Sequence, residues 1–284
     1  MATPLRNVSD TALWVAMYRA LESERPDAHF CDPFARRLAG DRGAAIVKSM
    51  PRGRSMAWPM VVRTQVMDEI ILREVGEGVR VVLNLAAGLD ARAFRLPLPE
   101  SVTWFDVDLP DMIVYRREHL AGARPACRHE HLEADLTDSR ALAAVLARVR
   151  EMDGSAMVLT EGLLVYLTPE QVTTLARHIH GEPRIRFWLT DLASPLLLKM
   201  LRRTWQPKLQ AANAPMQFAP AEGTAFFVPL GFREKEFRST WDESLRLRRS
   251  VPLARFWNLV SQLRPKKVRH QYRRMSGIVL LERT

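Results

Sequence analysis

The feature that most constrains the fold is the run Val79–Leu85 (VRVVLNL), which is nearly continuous in apolar and β-branched side chains. Such a run is typical of a parallel strand that is covered on both faces. Further strand candidates follow at 102–107, 128–134, 156–160 and 185–189, with helical segments at 110–121, 138–150 and 169–180 between them. Strands that alternate with helices at roughly 25-residue spacing predict successive βαβ units and an α/β fold.

Helical patterns precede the first strand, and the regular alternation of strands and helices is interrupted after the fifth strand. Residues 1–75 are predicted to form an N-terminal helical cap, with a loop at 51–59. Residues 194–224 are interpreted as an inserted helix and loop, or lid. A short strand at 236–238, a helix at 241–247 and a closing strand at 277–281 complete the pattern. We therefore expect one domain, 1–284, whose core consists of 76–193 and 225–284.

The 284-residue chain carries a net charge of +10. This balance permits an acidic partner, such as nucleic acid, a membrane surface or an acidic carrier protein. The interpretation that we favour is that solvated arginines are spread over the surface. Two cysteines do not form a disulfide framework, so a cytoplasmic protein is expected. We expect no membrane-spanning segment and no secretory signal.

Small residues follow the first strand directly, in the run from Asn84 to Asp90 (NLAAGLD). Ala86, Ala87 and Gly88 would let a ligand approach the backbone closely. The dinucleotide fingerprint G-x-G-x-x-G and the phosphate loop are both absent from the sequence. The turn therefore favours a ligand without phosphates, and a plain tight turn is the alternative.

Acidic residues stand at the ends of the next three strands. Asp108 lies twenty residues after Gly88, where an acid can accept both ribose hydroxyls of an adenosine; Asp106 shares its strand face but lies deeper. Asp135 can accept a hydrogen bond from an adenine amino group, and Glu161 is expected in the crevice beyond strands one and four. Asp108 and Asp135 have ordinary alternatives as helix caps. Together the acids favour a cationic ligand with a free ribose, such as S-adenosylmethionine.

Four runs carry a more specific resemblance. NLAAGLDARAF, WFDVDLP, EADL and EGLLVYLTPEQV, in this order and spacing, resemble the leucine carboxyl methyltransferase family of S-adenosylmethionine-dependent enzymes, which includes bacterial small-molecule O-methyltransferases. The resemblance covers about residues 7 to 191, including SDTALWVAMYRALESERPDAHFCDPFA and Arg63-Thr64. It implies a Rossmann-like class I fold: a mostly parallel seven-stranded sheet with an antiparallel last strand, an N-terminal helical cap and an insertion after strand five.

The resemblance also implies the roles of individual residues toward S-adenosylmethionine, whose product is S-adenosylhomocysteine. Arg63 would pair with the methionine carboxylate, which suits its planar fork of donors. The turn at Gly88 would pass the methionine part, and Glu161 would take the amino group. Asp108 would take the ribose, and Asp135 with Leu136 the adenine. Ala86 stands where the family commonly has glycine, and its methyl group could crowd the cofactor.

The acceptor is less constrained than the donor. A carboxylate acceptor needs no base, whereas a phenol or alcohol benefits from one; Tyr166, His178 and His180 are candidates, and nothing singles one out. No metal site is expected, because His178 and His180 face different ways on a helix, and His129 and His131 lack an evident third ligand. The acceptor pocket is expected between the helical cap and the 194–224 insertion. Its candidate lining residues, which could equally be ordinary packing, are Met200, Trp205, Met216, Phe218, Phe226 and Phe227.

Three functions remain open. The first is a small-molecule O-methyltransferase of secondary metabolism, acting on a carboxylate or hydroxyl. The second is a protein carboxyl methyltransferase. The third, a nucleic-acid methyltransferase, rests on the basic run 264–274, but the sequence has neither a [DN]-P-P-[YFW] run nor a Pro-Cys pair. The alternatives for this run are a solvated edge beside the last strand and a binding site for an acidic carrier protein. We therefore expect a small-molecule acceptor as the partner, and neither a membrane nor a nucleic acid. The remaining alternative is a module that binds its ligand without catalysing a reaction.

Overall fold

The computed structural model describes residues 9–50, 53–211 and 215–284. A seven-stranded sheet has the order β3-β2-β1-β4-β5-β7-β6. The strands are β1 Val79–Leu85, β2 Thr103–Asp108, β3 Arg128–Glu133, β4 Ser155–Thr160, β5 Ile185–Ala193, β6 Phe232–Ser239 and β7 Ser276–Arg283. Strands β1 to β5 pair in parallel, and β7 is antiparallel to both β5 and β6. The predicted mostly parallel sheet with an antiparallel last strand is confirmed.

Helices cover both faces of the sheet. They are α1 Ser9–Ser23, α2 Ala35–Ser49, α3 Trp58–Gly76, α4 Arg92–Arg95, α5 Pro110–His119, α6 Ser139–Arg150, α7 Pro169–Gly181, α8 Pro195–Ala211, α9 Thr240–Arg246, α10 Ala254–Ser261 and α11 Lys266–Arg273. Short 3₁₀ turns lie at Gly53–Met56, Leu164–Tyr166 and Gly223–Leu230. Among the described residues, no helix is both long and apolar enough to cross a membrane.

The strand side chains divide into two apolar layers, as the two-residue period of a strand requires. Val81 and Leu83 of β1 pack with α6 and α7 on one face. Val82 packs with α3 on the other face. A third cluster joins α1 and α2 to the segment after β1 through Leu89 and Ala91. The N-terminal helices are therefore anchored beside the carboxyl end of β1.

Several boundaries differ from the sequence expectations. Strand β5 continues beyond the expected end at 189, because β7 pairs with it as far as Ala193. Strand β6 is longer than the expected 236–238, because its polar sequence is held as an edge strand by β7. The expected loop at 51–59 contains a 3₁₀ turn and the start of α3, whose first turn includes Pro59.

Two helices, α10 and α11, were not expected from the sequence. They lie between α9 and β7, in a region interpreted as part of the sheet core. Helix α11 lies within the basic run 264–274 and has no buried residue.

Candidate functional site

A cavity of about 1470 Å³ lies at the carboxyl ends of the parallel strands. It is lined by the turn after β1, by the segments at the ends of β2 to β5, and by parts of α1, α3, α8, α10 and α11. The crevice outside β1 and β4, where the strand order reverses, is where open α/β sheets bind ligands. The lining includes all seven residues proposed for the cofactor: Arg63, Ala86, Gly88, Asp108, Asp135, Leu136 and Glu161.

The turn after β1 holds the carboxylate at the end of β2. The backbone N–H of Gly88 donates to Oδ2 of Asp108 at 2.7 Å, and that of Leu109 donates to Oδ1 at 2.8 Å. Burial raises the pKa of Asp108, although these two N–H groups act in the opposite direction. The carboxylate is thus fixed at the cavity wall with lone pairs left for a ligand.

Ala86 and Gly88 both have left-handed backbones, with φ near +52°. This region favours glycine, because a Cβ there crowds the following carbonyl. The alanine at position 86 therefore introduces backbone strain, in addition to placing a methyl group beside the cavity.

Asp106 is buried among side chains of the protein and does not reach the cavity wall. Its side chain lies on β2 outside the cavity lining and is 1% exposed. The carboxylate accepts hydrogen bonds from four side chains: Asn84, Trp104, Arg116 and His129. Burial opposes its ionisation, but Arg116 and His129 hold its pKa well below the usual range.

Asp135 is free to face a ligand on one side. Its Oδ1 accepts hydrogen bonds from the backbone and hydroxyl of Thr137, at 2.8 and 2.7 Å. The N-cap of α6 is Asp138, which accepts from the backbone of Arg140 at 2.8 Å. The alternative interpretation of Asp135 as the helix cap is therefore wrong. Leu136, which also lines the cavity, packs against the core beneath.

Glu161 lies between two arginines, the half-buried Arg63 and the buried Arg92. Nε of Arg63 donates to its Oε1 at 3.0 Å, and Nη1 of Arg92 donates to its Oε2 at 2.6 Å. Burial alone would raise the pKa of Glu161, but Arg92 and Arg63 outweigh it and hold the pKa well below the usual range. Glu161 is therefore an anion at the cavity wall.

Sequence reasoning missed two members of this site. Asp191, near the end of β5, accepts a hydrogen bond from Nη1 of Arg63 at 3.2 Å and another from the backbone of Gly162. It follows the same pattern as Asp108 and Glu161, an acid at the carboxyl end of a strand, but β5 was expected to end before it. Arg92, whose side chain is 1% exposed, also pairs with Asp68 and Asp90 at 2.6 and 2.8 Å.

The charges of this buried network do not cancel. Four guanidinium groups meet five carboxylates: those of Arg19, Arg63, Arg92 and Arg95, and those of Asp32, Asp68, Asp90, Glu161 and Asp191. Asp108 adds a further carboxylate nearby on the same cavity wall. The excess of negative charge suits a cationic ligand.

Part of the lining expected for an acceptor pocket is found in the cavity. Met200, Met216 and Phe218 line the cavity, together with Trp14 and Trp58 from α1 and α3. Phe226 and Phe227 follow the alternative of ordinary packing: neither lines the cavity, and their rings pack edge to face with centroids 5.2 Å apart. The side chain of Trp205 lies outside the described part.

The described cavity wall contains no histidine, cysteine or lysine. His178 and His180 lie elsewhere. Tyr166 does line the cavity, but burial raises its pKa, so the hydroxyl stays protonated. Three of the lining carboxylates, Asp90, Glu161 and Asp191, already accept hydrogen bonds from arginines.

Outside the cavity, the structure places a third potential metal ligand, Asp106, beside His129 and His131. The sequence alone did not indicate this neighbour. Potential ligand atoms of these two histidines and Asp106 lie within 4.8 Å of one another. However, Asp106 is already paired with Arg116, whose positive charge opposes a cation there. We assign this cluster to the support of β2 and β3.

Comparison with known proteins agrees with this architecture. The leucine carboxyl methyltransferase family model matches residues 12–180. A protein of Parafrankia is 34% identical over 259 residues, covering 86% of this chain and 83% of its own length. One of Mycolicibacterium smegmatis is 35% identical over 193 residues, covering 61% and 63%. Both are named "putative S-adenosyl-L-methionine-dependent methyltransferase".

Among solved structures, a DUF574 family protein from Streptomyces avermitilis has a TM-score of 0.61 at 14% identity, with 99% of each chain covered. This likeness supports the fold alone. Since the family model spans more than half of the chain and the Parafrankia relative covers most of it, the chain belongs to the leucine carboxyl methyltransferase family and is an S-adenosylmethionine-dependent methyltransferase.

Proposed function

We propose that this enzyme is an O-methyltransferase of secondary metabolism that acts on a small molecule, with a carboxylate as the preferred acceptor and a phenolic hydroxyl as the second candidate. The observation that carries the preference is the absence of histidine, cysteine and lysine from the described cavity wall. A carboxylate is ionised at neutral pH and needs no base, whereas a phenol must lose a proton.

We place S-adenosylmethionine along the turn after β1. Asp108 would accept from the ribose, Asp135 and Leu136 would contact the adenine, and Glu161 would bind the ammonium group. The negative excess of the network supports this orientation of a cationic ligand. When bound, the cofactor supplies a methyl group on a sulfonium and leaves as S-adenosylhomocysteine.

Arg63 would bind the carboxylate of the cofactor. A guanidinium has five N–H donors. Only Nε and Nη1 donate to carboxylates of the described residues. Burial lowers the pKa of Arg63, but Asp191 and Glu161 outweigh it, so the side chain stays protonated with donors to spare.

The rest of the cavity would position the acceptor and exclude water. In-line transfer depends mainly on holding the donor carbon and acceptor oxygen aligned in a dry site. Trp14, Trp58 and Met200 supply an apolar wall from three different helices. Within the 194–224 segment, which we propose closes over the site, Arg202 donates to the carbonyl of Met216 at 2.9 Å and ties α8 to the following loop.

A cytoplasmic location is part of the proposal, supported by the two free thiols, Cys31 and Cys127. A protein carboxyl acceptor remains the alternative that the family description supports. A small molecule fits better because the cavity is walled by helices on several sides.

The test is methyl transfer from cofactor labelled in its methyl group, to matched aromatic acids and phenols. Alkali releases volatile methanol from a methyl ester but leaves a methyl ether intact, so we expect alkali-labile label in a small product. Alkali-stable label would identify a phenol instead, and label in a macromolecular fraction would identify a protein acceptor. If the cofactor binds but no acceptor is methylated, the binding-module alternative gains support.

A further inference from the structure

An exposed apolar surface lies on α10 and the segment that joins it to α11. Of the twelve large hydrophobic side chains that are exposed among the described residues, seven lie between positions 253 and 272. We call five of them the apolar ridge: Leu253, Phe256, Trp257, Leu259 and Leu263. Leu263 is 87% exposed and Leu259 is 62% exposed, so these side chains protrude rather than line a groove. Clusters of this kind mark interaction sites.

The charge around the apolar ridge has one sign. Residues 250–275 contain seven lysines and arginines and no aspartate or glutamate. Two of the seven are neutralised from outside the segment, since Arg273 pairs with Asp242 and Arg274 pairs with Glu234. The other five, Arg255, Arg264, Lys266, Lys267 and Arg269, form no ion pair with any residue that the structure describes. Apolar side chains beside uncompensated cations are the pattern of a segment that lies in the interface of an anionic membrane.

The same segment borders the methyl-transfer cavity. Trp257 and Val260 of α10, and Arg269 and Tyr272 of α11, contribute to the same lining as Asp108 and Glu161. One member of the apolar ridge, Trp257, therefore belongs to the cavity wall, so the ridge lies beside the cavity.

We propose that α10 and α11 dock on the surface of an anionic lipid bilayer, and that a lipophilic acceptor enters the cavity from that surface. The second part rests on the proposed function. A second copy of the chain fits poorly, because two such surfaces would bring like charges together. An acidic protein would match the charge, but protruding side chains suit a fluid interface better than a surface that must be complementary in shape. The proposal departs from the expectation of no membrane partner.

Vesicle flotation tests the docking directly. The full-length protein is mixed with large unilamellar vesicles of phosphatidylcholine alone, or of equal parts phosphatidylcholine and phosphatidylglycerol. We expect flotation with the phosphatidylglycerol vesicles that weakens at least tenfold in 0.5 M salt, since exposed charges are screened at that concentration. Failure of the wild-type protein to float, or equal flotation with both vesicles at all salt concentrations, overturns the proposal.

Matched variants locate the surface. Leu259→Asp with Leu263→Asp should reduce flotation at least tenfold, and Lys266→Gln with Lys267→Gln should reduce it severalfold; none of these residues lines the cavity. Val114→Asp, on α5 and 49% exposed, is the control and should float like the wild type. Cofactor binding measured by calorimetry shows that each variant is folded. Flotation of the Leu259/Leu263 variant at the wild-type level contradicts the proposal.

The docking and the proposed chemistry fail in different experiments. If the wild-type protein does not float with anionic vesicles but still methylates a soluble acid, only the proposed membrane docking is disproved. Flotation without methyl transfer to any acid or phenol disproves only the proposed function. A ridge-dependent dimer in sedimentation, without vesicle binding, would assign the surface to a second copy and overturn the proposal.

Discussion

The backbone N–H of Gly88 donates to Oδ2 of Asp108 at 2.7 Å, joining the turn after β1 to the end of β2. The left-handed backbone of Gly88 directs this N–H toward the neighbouring strand. A cofactor hydroxyl that hydrogen-bonds to Asp108 would therefore meet an acceptor that is already oriented, so little conformational entropy is lost on binding.

Asp108→Ala should weaken binding of S-adenosylhomocysteine about 10- to 100-fold, because hydrogen bonds to a charged group contribute about 1.5–3 kcal/mol each. Isothermal titration calorimetry measures the change. Asp111→Ala is the control, since Asp111 is exposed on the first turn of α5 and lies outside the cavity lining. Equal affinities for wild type and Asp108→Ala would show that the ribose lies elsewhere.

Arg92→Met should destabilise the fold by about 3–5 kcal/mol, because it leaves buried carboxylates without a cation. Arg92 binds Asp68, Asp90 and Glu161 at once. Urea unfolding gives the change in the free energy of unfolding. Arg148→Met is the matched control: its pairs with Glu130 and Glu151 are exposed and should contribute below about 1 kcal/mol. Similar losses in both variants would argue against a stabilising role for the buried network.

Periodicity and strand-end chemistry were enough to predict much of this molecule. Strand β1 was predicted with its observed bounds, Val79–Leu85, because a run of buried β-branched residues has few other solutions. Parallel strands place their carboxyl ends together, so Gly88, Asp108 and Glu161 could be assigned to one edge before any coordinates. The structure brings them to one cavity; their roles toward the cofactor stay predictions.

The residues that escaped prediction depend on distant partners. Arg92 is buried because Asp68, on α3, reaches it from 24 positions earlier in the chain. Helix α10 is amphipathic, and such a helix normally buries its apolar side, yet Phe256, Trp257 and Leu259 on that side are exposed. Its exposure follows only from where α9 and β7 place it. Local patterns carry no information about either relationship.

Ala86→Gly should stabilise the protein by about 0.5–1 kcal/mol. An alanine in the left-handed region costs about 1–2 kcal/mol, and the greater freedom of glycine in the unfolded chain offsets about half of that gain. Thermal unfolding should shift upward by about 2 °C. The control is Ala87→Gly, one position later, where φ is not positive and the substitution should destabilise. A lower midpoint of thermal unfolding for Ala86→Gly than for the wild type would show that the backbone at position 86 is not strained.

Stability should fall as the pH decreases from about 6.5 toward 4, partly through His131. Burial lowers the pKa of His131 to about 4, and Arg116 and His129 act in the same direction. The histidine of the unfolded chain binds a proton near pH 6.5. Between these values the unfolded state holds more protons than the folded state, so protons favour unfolding; above pH 6.5 the effect is absent.

His131→Gln removes this titration without changing the charge of the neutral state. We expect the loss of unfolding free energy between pH 7 and pH 5, measured in urea, to be smaller in the variant than in the wild type. His270→Gln, on the exposed surface of α11, should leave the pH dependence unchanged. Asp106 and Glu161, whose folded pKa values lie well below their usual range, lose their contributions mainly below pH 5. If the free energy of unfolding fell equally in His131→Gln and in the wild type between pH 7 and pH 5, His131 would be excluded as the source of the pH dependence.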